Sequence, residues 1–207
     1  MRTRVIFFIV ATFCSFTLMA QSSASFIKKA QQQHGRNEYK EAFESLRNAE
    51  SALYGEERSS GKKMPEVRYS ITKERVQIYI RMRNSKRANE QLERLEEQAK
   101  NMGNDSINND LLYTQANVYY TFGESTKGDA CINKLIEKYK AAKQYDEIDN
   151  CYQTIIGIAR RAGNASFMAR TYEKYMLWND SVHALKAQDN LDALQQKYDS
   201  SLQTIEE

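Results

Sequence analysis

The stretch LLYTQANVYYTFGESTKGDACINKL, residues 111–135, carries a regular spacing of small and apolar residues on both sides of Gly123. Before the glycine, Ala116 and Tyr119 are three positions apart. After it, the intervals are four and then three: Gly128, Ile132 and Leu135. Intervals of three and four place side chains on one face of an α-helix. The stretch therefore predicts two amphipathic helices joined by a turn at Gly123.

This spacing recurs along the chain with a period of forty residues. The segments 85–95, 125–135 and 165–175 align without gaps, and residues 35–53 show the same spacing. The equivalent positions are Ala42, Leu46 and Ala49; Ala88, Leu92 and Leu95; and Met168, Tyr172 and Tyr175. A hairpin of this size cannot bury its apolar face alone, whereas stacked hairpins can. The repeat therefore predicts a stacked array.

The preceding helix repeats as well, at Val76, Ala116 and Ile156, with Ala30 at the matching early position. Gly163 is equivalent to Gly123, and Arg83 occupies that turn in the second unit. We expect helices near residues 23–34, 38–55, 65–82, 86–101, 107–122, 126–142, 147–162 and 165–180. The longest loop is predicted at residues 54–65, YGEERSSGKKMP, because this stretch is rich in Gly, Ser, Lys and Pro.

The composition agrees with a helical fold. The 207-residue chain contains one proline and eight glycines, the residue types that helix interiors tolerate least. We predict an all-α fold, an α-solenoid of about four stacked helical hairpins with a long C-terminal helix. The alternative is an ordinary helical bundle in which the spacing is coincidental.

The pattern resembles the tetratricopeptide repeat over residues 23–178, four units. The resemblance rests on the early Ala, the aromatic residue near the end of the first helix, the turn glycine and the small–x3–large–x2–large triplet. The chain departs from the family in its period of forty, in the missing closing proline and in Gly128 and Met168, where the family usually has Ala. The resemblance implies that the first helix of each pair lines a concave, peptide-binding groove.

Carrying the family's groove positions over to this sequence gives three sets of candidate residues. They are Lys73, Gln77, Ile80 and Arg81; Tyr113, Asn117, Tyr120 and Thr121; and Gln153, Gly157, Arg160 and Arg161. The set contains four cations and no carboxylate, and arginine binds carboxylates through two parallel hydrogen bonds. The resulting hypothesis is a groove for an acidic peptide or a C-terminal carboxylate. The alternative is a solvated helix face without a ligand. Tyr119 and Tyr172 are expected in the core.

Residues 1–20 have the three parts of a secretory signal peptide. Arg2 and Arg4 precede the uncharged run VIFFIVATFCSFTLMA, and the polar QSSAS follows. This run of 16 residues is shorter than the roughly 20 that cross a bilayer. We expect cleavage after Ala20, or else after Ala24, and a periplasmic or extracytoplasmic location. An uncleaved membrane anchor is the alternative.

Removal of this segment would lower the formal net charge from +3 to +1. A chain so nearly neutral lacks the basic excess of nucleic-acid-binding proteins. We therefore expect no nucleic-acid partner.

The tail, residues 181–207, follows a repeat domain that we place at residues 21–180. Leu191, Tyr198 and Ile205 are seven positions apart, and so are Ala187, Leu194 and Ser201. A seven-residue period is typical of coiled coils. The tail is expected either to cap the last apolar face of the solenoid or to form a parallel homodimer.

A signal peptide, a tetratricopeptide-like array and an exit helix together resemble the periplasmic sensing part of membrane-anchored bacterial regulators, including hybrid histidine kinases. This resemblance implies that a membrane tether and an output domain follow residue 207. The alternative is a free periplasmic scaffold or assembly factor. Both functions rest on a protein or peptide partner.

Neither an enzyme nor a cofactor is expected. His34 and His183 lie on distant segments without the spacing of metal ligands, and neither a phosphate-binding loop nor a nucleophile motif is present. Carboxylates such as Glu93 and Glu97 fit a solvated helix face. A hairpin turn near residues 143–145 would hold Cys131 and Cys151 roughly 10 Å apart along the helix axis, so we expect two unbridged, packed thiols rather than a disulfide.

Overall fold

The computed structural model describes the backbone of residues 22–206 and the side chains of residues 22–197. Within this range the chain forms eight α-helices and no β-strand. They are α1 Ser23–Gly35, α2 Tyr39–Ser60, α3 Pro65–Arg81, α4 Ser85–Met102, α5 Asp105–Thr121, α6 Ser125–Ala141, α7 Tyr145–Ala162 and α8 Ala165–Glu206. The all-α prediction is confirmed, and the predicted signal peptide lies outside the described residues.

The helices pack as hairpins that stack one upon the next. The pairs are α1 with α2, α3 with α4, α5 with α6 and α7 with α8, and each pair also contacts the following one. Three successive hydrophobic clusters fill the array, the first around α1 to α3, the second between α3 and α5 and the third from α5 to α8. The predicted solenoid of stacked hairpins is therefore confirmed.

The forty-residue repeat supplies most of this core. Every member of the first three triplets is buried: Ala42, Leu46, Ala49, Ala88, Leu92, Leu95, Gly128, Ile132 and Leu135. Each fully buried leucine or isoleucine stabilises the fold by roughly 1.5–3 kcal/mol relative to an exposed one. Small residues at the first position let the paired helices approach closely, so these triplets determine both the packing and the stability of the hairpins.

The fourth triplet behaves differently, and the expectation that Tyr172 belongs to the core is wrong. Tyr172 is 40% exposed, whereas Ile132 at the equivalent position of α6 is buried in the cluster that α7 completes. Among the described residues no helix follows α8 to cover that position. The inner side of α8 instead buries Phe167 and Thr171.

Left-handed residues follow the first helix of each hairpin, including the turns that the repeat places at Arg83, Gly123 and Gly163. Asn37, Arg83, Gly123 and Gly163 all have positive φ, between 62° and 86° except for Arg83 at 55°. A left-handed residue after the last helical turn lets backbone N–H groups reach the free carbonyls of that turn. Arg83 thus occupies a position at which two of the other hairpins have glycine. Glycine has no Cβ and therefore adopts the left-handed conformation without the steric cost that arginine incurs.

The connection between α2 and α3 is shorter than predicted, because α2 continues to Ser60 and leaves only residues 61–64. Two glutamates fix the last turns of α2. Glu56 accepts hydrogen bonds from the backbone N–H and the hydroxyl of Ser23, at 2.7 and 2.6 Å, and Glu57 accepts one from the N–H of Met64 at 2.9 Å. These bonds keep helical a stretch whose composition resembles a loop.

The last helix is continuous from Ala165 to Glu206. The change of pattern at Ser181 therefore corresponds to no break in the backbone, and the expected helix at 165–180 and the expected tail form one element. Lys143, in the connection before α7, and Tyr145, the first residue of α7, both bond the Asp189 carboxylate and so fix α8 against the array to that point. Across the described residues, none of the helices combines the length and hydropathy that crossing a bilayer requires.

Candidate functional site

The first helices of successive hairpins lie side by side. Contacts join α1 to α3, α3 to α5 and α5 to α7, whereas among the described helices no such contact joins the second helices of neighbouring hairpins. His34 Nδ1 lies 2.8 Å from Glu74 Oε1, and Asn117 Nδ2 donates to Gln77 Oε1 at 3.0 Å. Each of these pairs is separated by forty residues, one repeat. The array therefore curves with α1, α3, α5 and α7 on its inner side.

The inner side contains an open groove between α3, α5 and α7, which we call the inner groove. Its walls are mostly polar and are formed by Lys73, Gln77, Asp110, Tyr113, Thr114, Asn117, Glu147, Asn150, Thr154, Ile158 and Arg161. Five of the residues predicted from sequence are brought together here: Lys73, Gln77, Tyr113, Asn117 and Arg161.

The inner groove contains carboxylates, contrary to the prediction. Asp110 forms an ion pair with Lys73 and accepts a hydrogen bond from the Tyr69 hydroxyl at 2.9 Å. Burial and the Asp110 carboxylate together raise the pKa of Tyr69. Glu147 contributes a second carboxylate to the groove wall. The groove end at which Lys73 lies is therefore close to charge balance.

The floor of the groove is fixed by a contact between Tyr113 and Cys151, whose Oη and Sγ atoms are 3.0 Å apart. Burial raises the pKa of the Cys151 thiol, and burial raises that of Cys131 as well. Cys131 donates a weak hydrogen bond to Gln115 Oε1 at 3.7 Å. Both cysteines are buried and unbridged, as predicted. Raised pKa values keep both thiols protonated, the unreactive form, at neutral pH.

The other predicted groove residues do not line the groove, Thr121 and Gly157 among them. Tyr120 is 4% exposed and packs in the core, with its ring centroid 4.9 Å from that of Phe167, and its hydroxyl donates to Asp129 Oδ1 at 2.6 Å. Gln153 hydrogen-bonds Tyr175 of α8, on the other side of α7. Arg160 is exposed and does not line the groove.

The correction at Tyr120 has a counterpart at Ile80. Tyr119, expected in the core, is half-buried and packs against the second and third clusters, and the Lys127 ammonium lies 5.4 Å from its ring centroid. Ile80, carried over as a groove position, is buried in the core. Neighbouring residues of an α-helix point about 100° apart around its axis. If the family's groove positions are transferred to this sequence with an error of one residue, a core residue is assigned to the groove.

The C-terminal ends of the inner helices carry an arginine cluster, which we define as Arg81, Arg83 and Arg161. Arg83 donates hydrogen bonds to the carbonyls of Thr121 and Arg161, both at 3.3 Å. Burial and the nearby charge of Arg81 lower the pKa of Arg161. In the part of the chain that the structure describes, no carboxylate lies within 4 Å of these three guanidiniums.

Arg83 is the groove-end residue that sequence reasoning missed. The signal was present, because an arginine stands where two other units have a turn glycine. Arg81, which was predicted, lies beside Arg161 rather than in the groove wall. The arginine cluster thus adds positive charge that no carboxylate of the described residues pairs with, at one end of a groove whose other end is balanced.

The walls of the inner groove offer amide, hydroxyl, carboxylate and cationic side chains. Among the described residues, no three His, Cys, Asp or Glu side chains are grouped closely enough to hold a metal ion. Comparison with protein-family models, with curated proteins and with solved structures gives no match for this chain.

Proposed function

We propose that this chain is an exported protein–protein interaction module whose inner groove binds an acidic peptide or a free C-terminal carboxylate. The arginine cluster carries the proposal. Arg81 is near enough to Arg161 to lower its pKa, Arg83 bonds the main-chain carbonyl of Arg161, and among the described residues none of the three has a carboxylate partner within 4 Å. Guanidinium–carboxylate pairs are charge-assisted and often bidentate. An incoming carboxylate would also relieve the repulsion between Arg81 and Arg161.

The groove gives the bound peptide a direction. Its carboxylate would lie at the arginine cluster, and the rest of the peptide would run toward Lys73 and Asp110, where charge is balanced. Between these ends lie the side-chain amides of Gln77, Asn117 and Asn150. Amides both donate and accept hydrogen bonds, which suits them to a peptide main chain without selecting particular side chains.

The test is a binding measurement on matched peptides. Peptides of one random pool are prepared with free and with amidated C-termini, and with acidic or neutral final residues. We expect the free, acidic forms to bind, and the double variant Arg81→Glu with Arg161→Glu to weaken binding at least tenfold, about 1.4 kcal/mol. Arg160→Glu is the control for Arg161→Glu alone, since both reverse one charge and residue 160 lies one position away, outside the groove.

Two outcomes would contradict the proposal. One is equal binding of acidic and amidated neutral peptides, which would remove the role of the carboxylate. The other is a loss of affinity in Arg160→Glu equal to that in Arg161→Glu alone, which would reduce the effect to net charge. Circular dichroism of each variant separates a loss of binding from a loss of fold.

The cellular setting that we propose is the extracytoplasmic sensing part of a bacterial signal-transduction protein with a tetratricopeptide-like array. The signal-peptide pattern and the polar groove support it, as does the long helix that leads away from the array. A free periplasmic scaffold or assembly factor without a signalling output is the second candidate. The reading frame after Glu207 distinguishes them, because a membrane-anchored sensor requires a hydrophobic segment of about 20 residues there.

A further inference from the structure

Helix α8 has two apolar sides, and only one of them packs against the array. On the packed side Val182 is buried, Leu185 is half-buried, and Trp178 stacks on Tyr152 of α7. On the other side Leu191 and Leu194 are 60% and 63% exposed. Exposed leucines in succession on a helix indicate a surface that another partner covers.

The geometry of the helix places these leucines opposite the packed side. Nine residues make two and a half turns of an α-helix. The outward residues each follow an inward one by nine positions: Ala187 after Trp178, Leu191 after Val182 and Leu194 after Leu185. We call Ala187, Leu191 and Leu194 the outer seam.

The outer seam cannot turn inward to be buried by its own array. Asp189 is bonded by Lys143 and Tyr145, and the Lys186 ammonium lies 3.3 Å from Asp146 Oδ1. These bonds fix the rotation of α8 immediately before the seam's leucines. Beyond Asp189 the helix continues to Glu206, about 25 Å at 1.5 Å per residue.

The pattern of the seam specifies what covers it. Ala187 and Leu194 are seven residues apart, and the sequence repeats this spacing from Leu191 to Tyr198 and Ile205. A seven-residue repeat matches a partner helix with the same repeat, wound around it as a coiled coil. An identical α8 has that repeat by definition.

The residues beside the seam favour an identical partner over a charged one. With Leu191 at position a and Leu194 at position d of a heptad, the flanking e and g positions of residues 183–197 hold His183, Gln188, Asn190, Gln195 and Lys197. Charges at such positions normally select or reject a partner helix. Lys197 alone among them is permanently charged, so these positions hold neither a run of like charges that would repel a second copy nor a basic stripe that would favour an anionic membrane.

We propose that two copies of this chain form a homodimer by pairing their α8 helices along the outer seam. The proposal is independent of the inner groove, which lies on α3, α5 and α7.

Sedimentation velocity of the purified chain over a wide concentration range tests this proposal. We expect a dimer that the variant Leu191→Lys with Leu194→Lys converts to a monomer. The matched control is Ala193→Lys, which adds a lysine between the two leucine positions in sequence but off the seam, and should leave the dimer intact. Circular dichroism and thermal unfolding show whether each variant retains the folded array.

Three results would overturn the proposal. The unsubstituted chain could remain a monomer at all concentrations. The seam variant could remain dimeric while folded, which would place the contact elsewhere. Thirdly, the unsubstituted chain could be monomeric and bind phosphatidylglycerol vesicles in a manner that the seam variant abolishes, which would make the seam a membrane contact.

Discussion

The guanidinium of Arg83 donates a hydrogen bond to the main-chain carbonyl of Arg161, 78 residues further along the chain, at 3.3 Å. Its other terminal nitrogen donates to the carbonyl of Thr121. One side chain from the turn after α3 thus links the ends of α5 and α7. Curvature of the array toward its inner side brings the helix ends within reach of that side chain, and cationic side chains are favourable at helix C-termini.

Replacement of Arg83 tests whether this link contributes to stability. Arg83→Ala loses both hydrogen bonds but keeps a Cβ at φ 55°, and we expect it to lower the free energy of unfolding by about 1 kcal/mol. Arg83→Gly loses the same bonds but removes the steric cost of the left-handed conformation, so it should recover most of that loss. Urea unfolding measures both. Equal stability of Arg83→Ala and the unsubstituted chain would show that the link contributes nothing.

In the third hairpin, Gly128 lies so close to the ring of Tyr120 that a larger residue at this position should destabilise the fold. A Cβ at this position would lie 2.8 Å from ring atoms of Tyr120, and Tyr120 is fixed by Phe167 and Asp129. Overpacking of this kind typically costs 1–3 kcal/mol, more than the ~1 kcal/mol that alanine gains over glycine in a helix. We therefore expect Gly128→Ala to destabilise the chain in urea unfolding.

Gly157→Ala is the matched control for that substitution. It also lies inside a helix, but its added Cβ would approach only the Arg161 side chain, at an ordinary 3.5 Å. Helix propensity should then dominate and stabilise the chain by up to about 1 kcal/mol. Destabilisation of both variants would show that the contact with Tyr120 is not the cause.

The sequence predicts the array well because packing imposes its repeat on the chain. Ala42, Ala88 and Gly128 have to be small where paired helices cross, and Leu95 and Leu135 have to fill the space between hairpins. These requirements recur every time a hairpin is added. The left-handed turns at Gly123 and Gly163 follow from the same regularity.

The groove is harder to predict because its contacts are not strictly periodic. The ion pair of Lys73 with Asp110 spans 37 residues and the contact of Tyr113 with Cys151 spans 38, because neighbouring helices are staggered. Transferring groove positions from one hairpin to the next at a fixed interval of forty residues therefore misses Asp110. Predictions at the last hairpin are wrong for a different reason, since Tyr172 has no following helix to bury it in the described part of the chain.

The proposed export can be tested at the N-terminus of the mature chain. If residues 1–20 are a signal peptide, the protein recovered from the periplasm of an expressing bacterium should begin at Gln21, or at Ser25 if cleavage follows Ala24. N-terminal sequencing and intact mass determine this. Replacement of Ala20 by a bulky residue such as Phe should block cleavage at the first site, because the cleavage site requires small residues.

A full-length chain that remains with the membrane fraction would instead support the uncleaved anchor. A full-length chain in the cytoplasm would contradict export altogether. The first of these results leaves the groove outside the cytoplasm, whereas the second would place it among cytoplasmic partners.

Acid stability should depend on Glu57, at the end of α2. Its side chain is only 4% exposed. Hydrogen bonds from Arg68 and from the N–H of Met64, with the charges of Arg68 and Lys63, lower its pKa from 4.5 to about 2. Because the pKa in the fold lies below that of the unfolded chain, ionised Glu57 stabilises the fold above about pH 4.5. This contribution is lost as the pH falls toward about 2.

Glu57→Gln should therefore lower stability at pH 7 and flatten the decline in stability between pH 4.5 and pH 2. Urea midpoints measured at several pH values over this range give the two slopes. The exposed Glu97, replaced by Gln, serves as the control and should leave the slope unchanged. If Glu57→Gln loses stability equally at all pH values, the cost comes from packing, and the carboxylate charge does not hold the end of α2 in place.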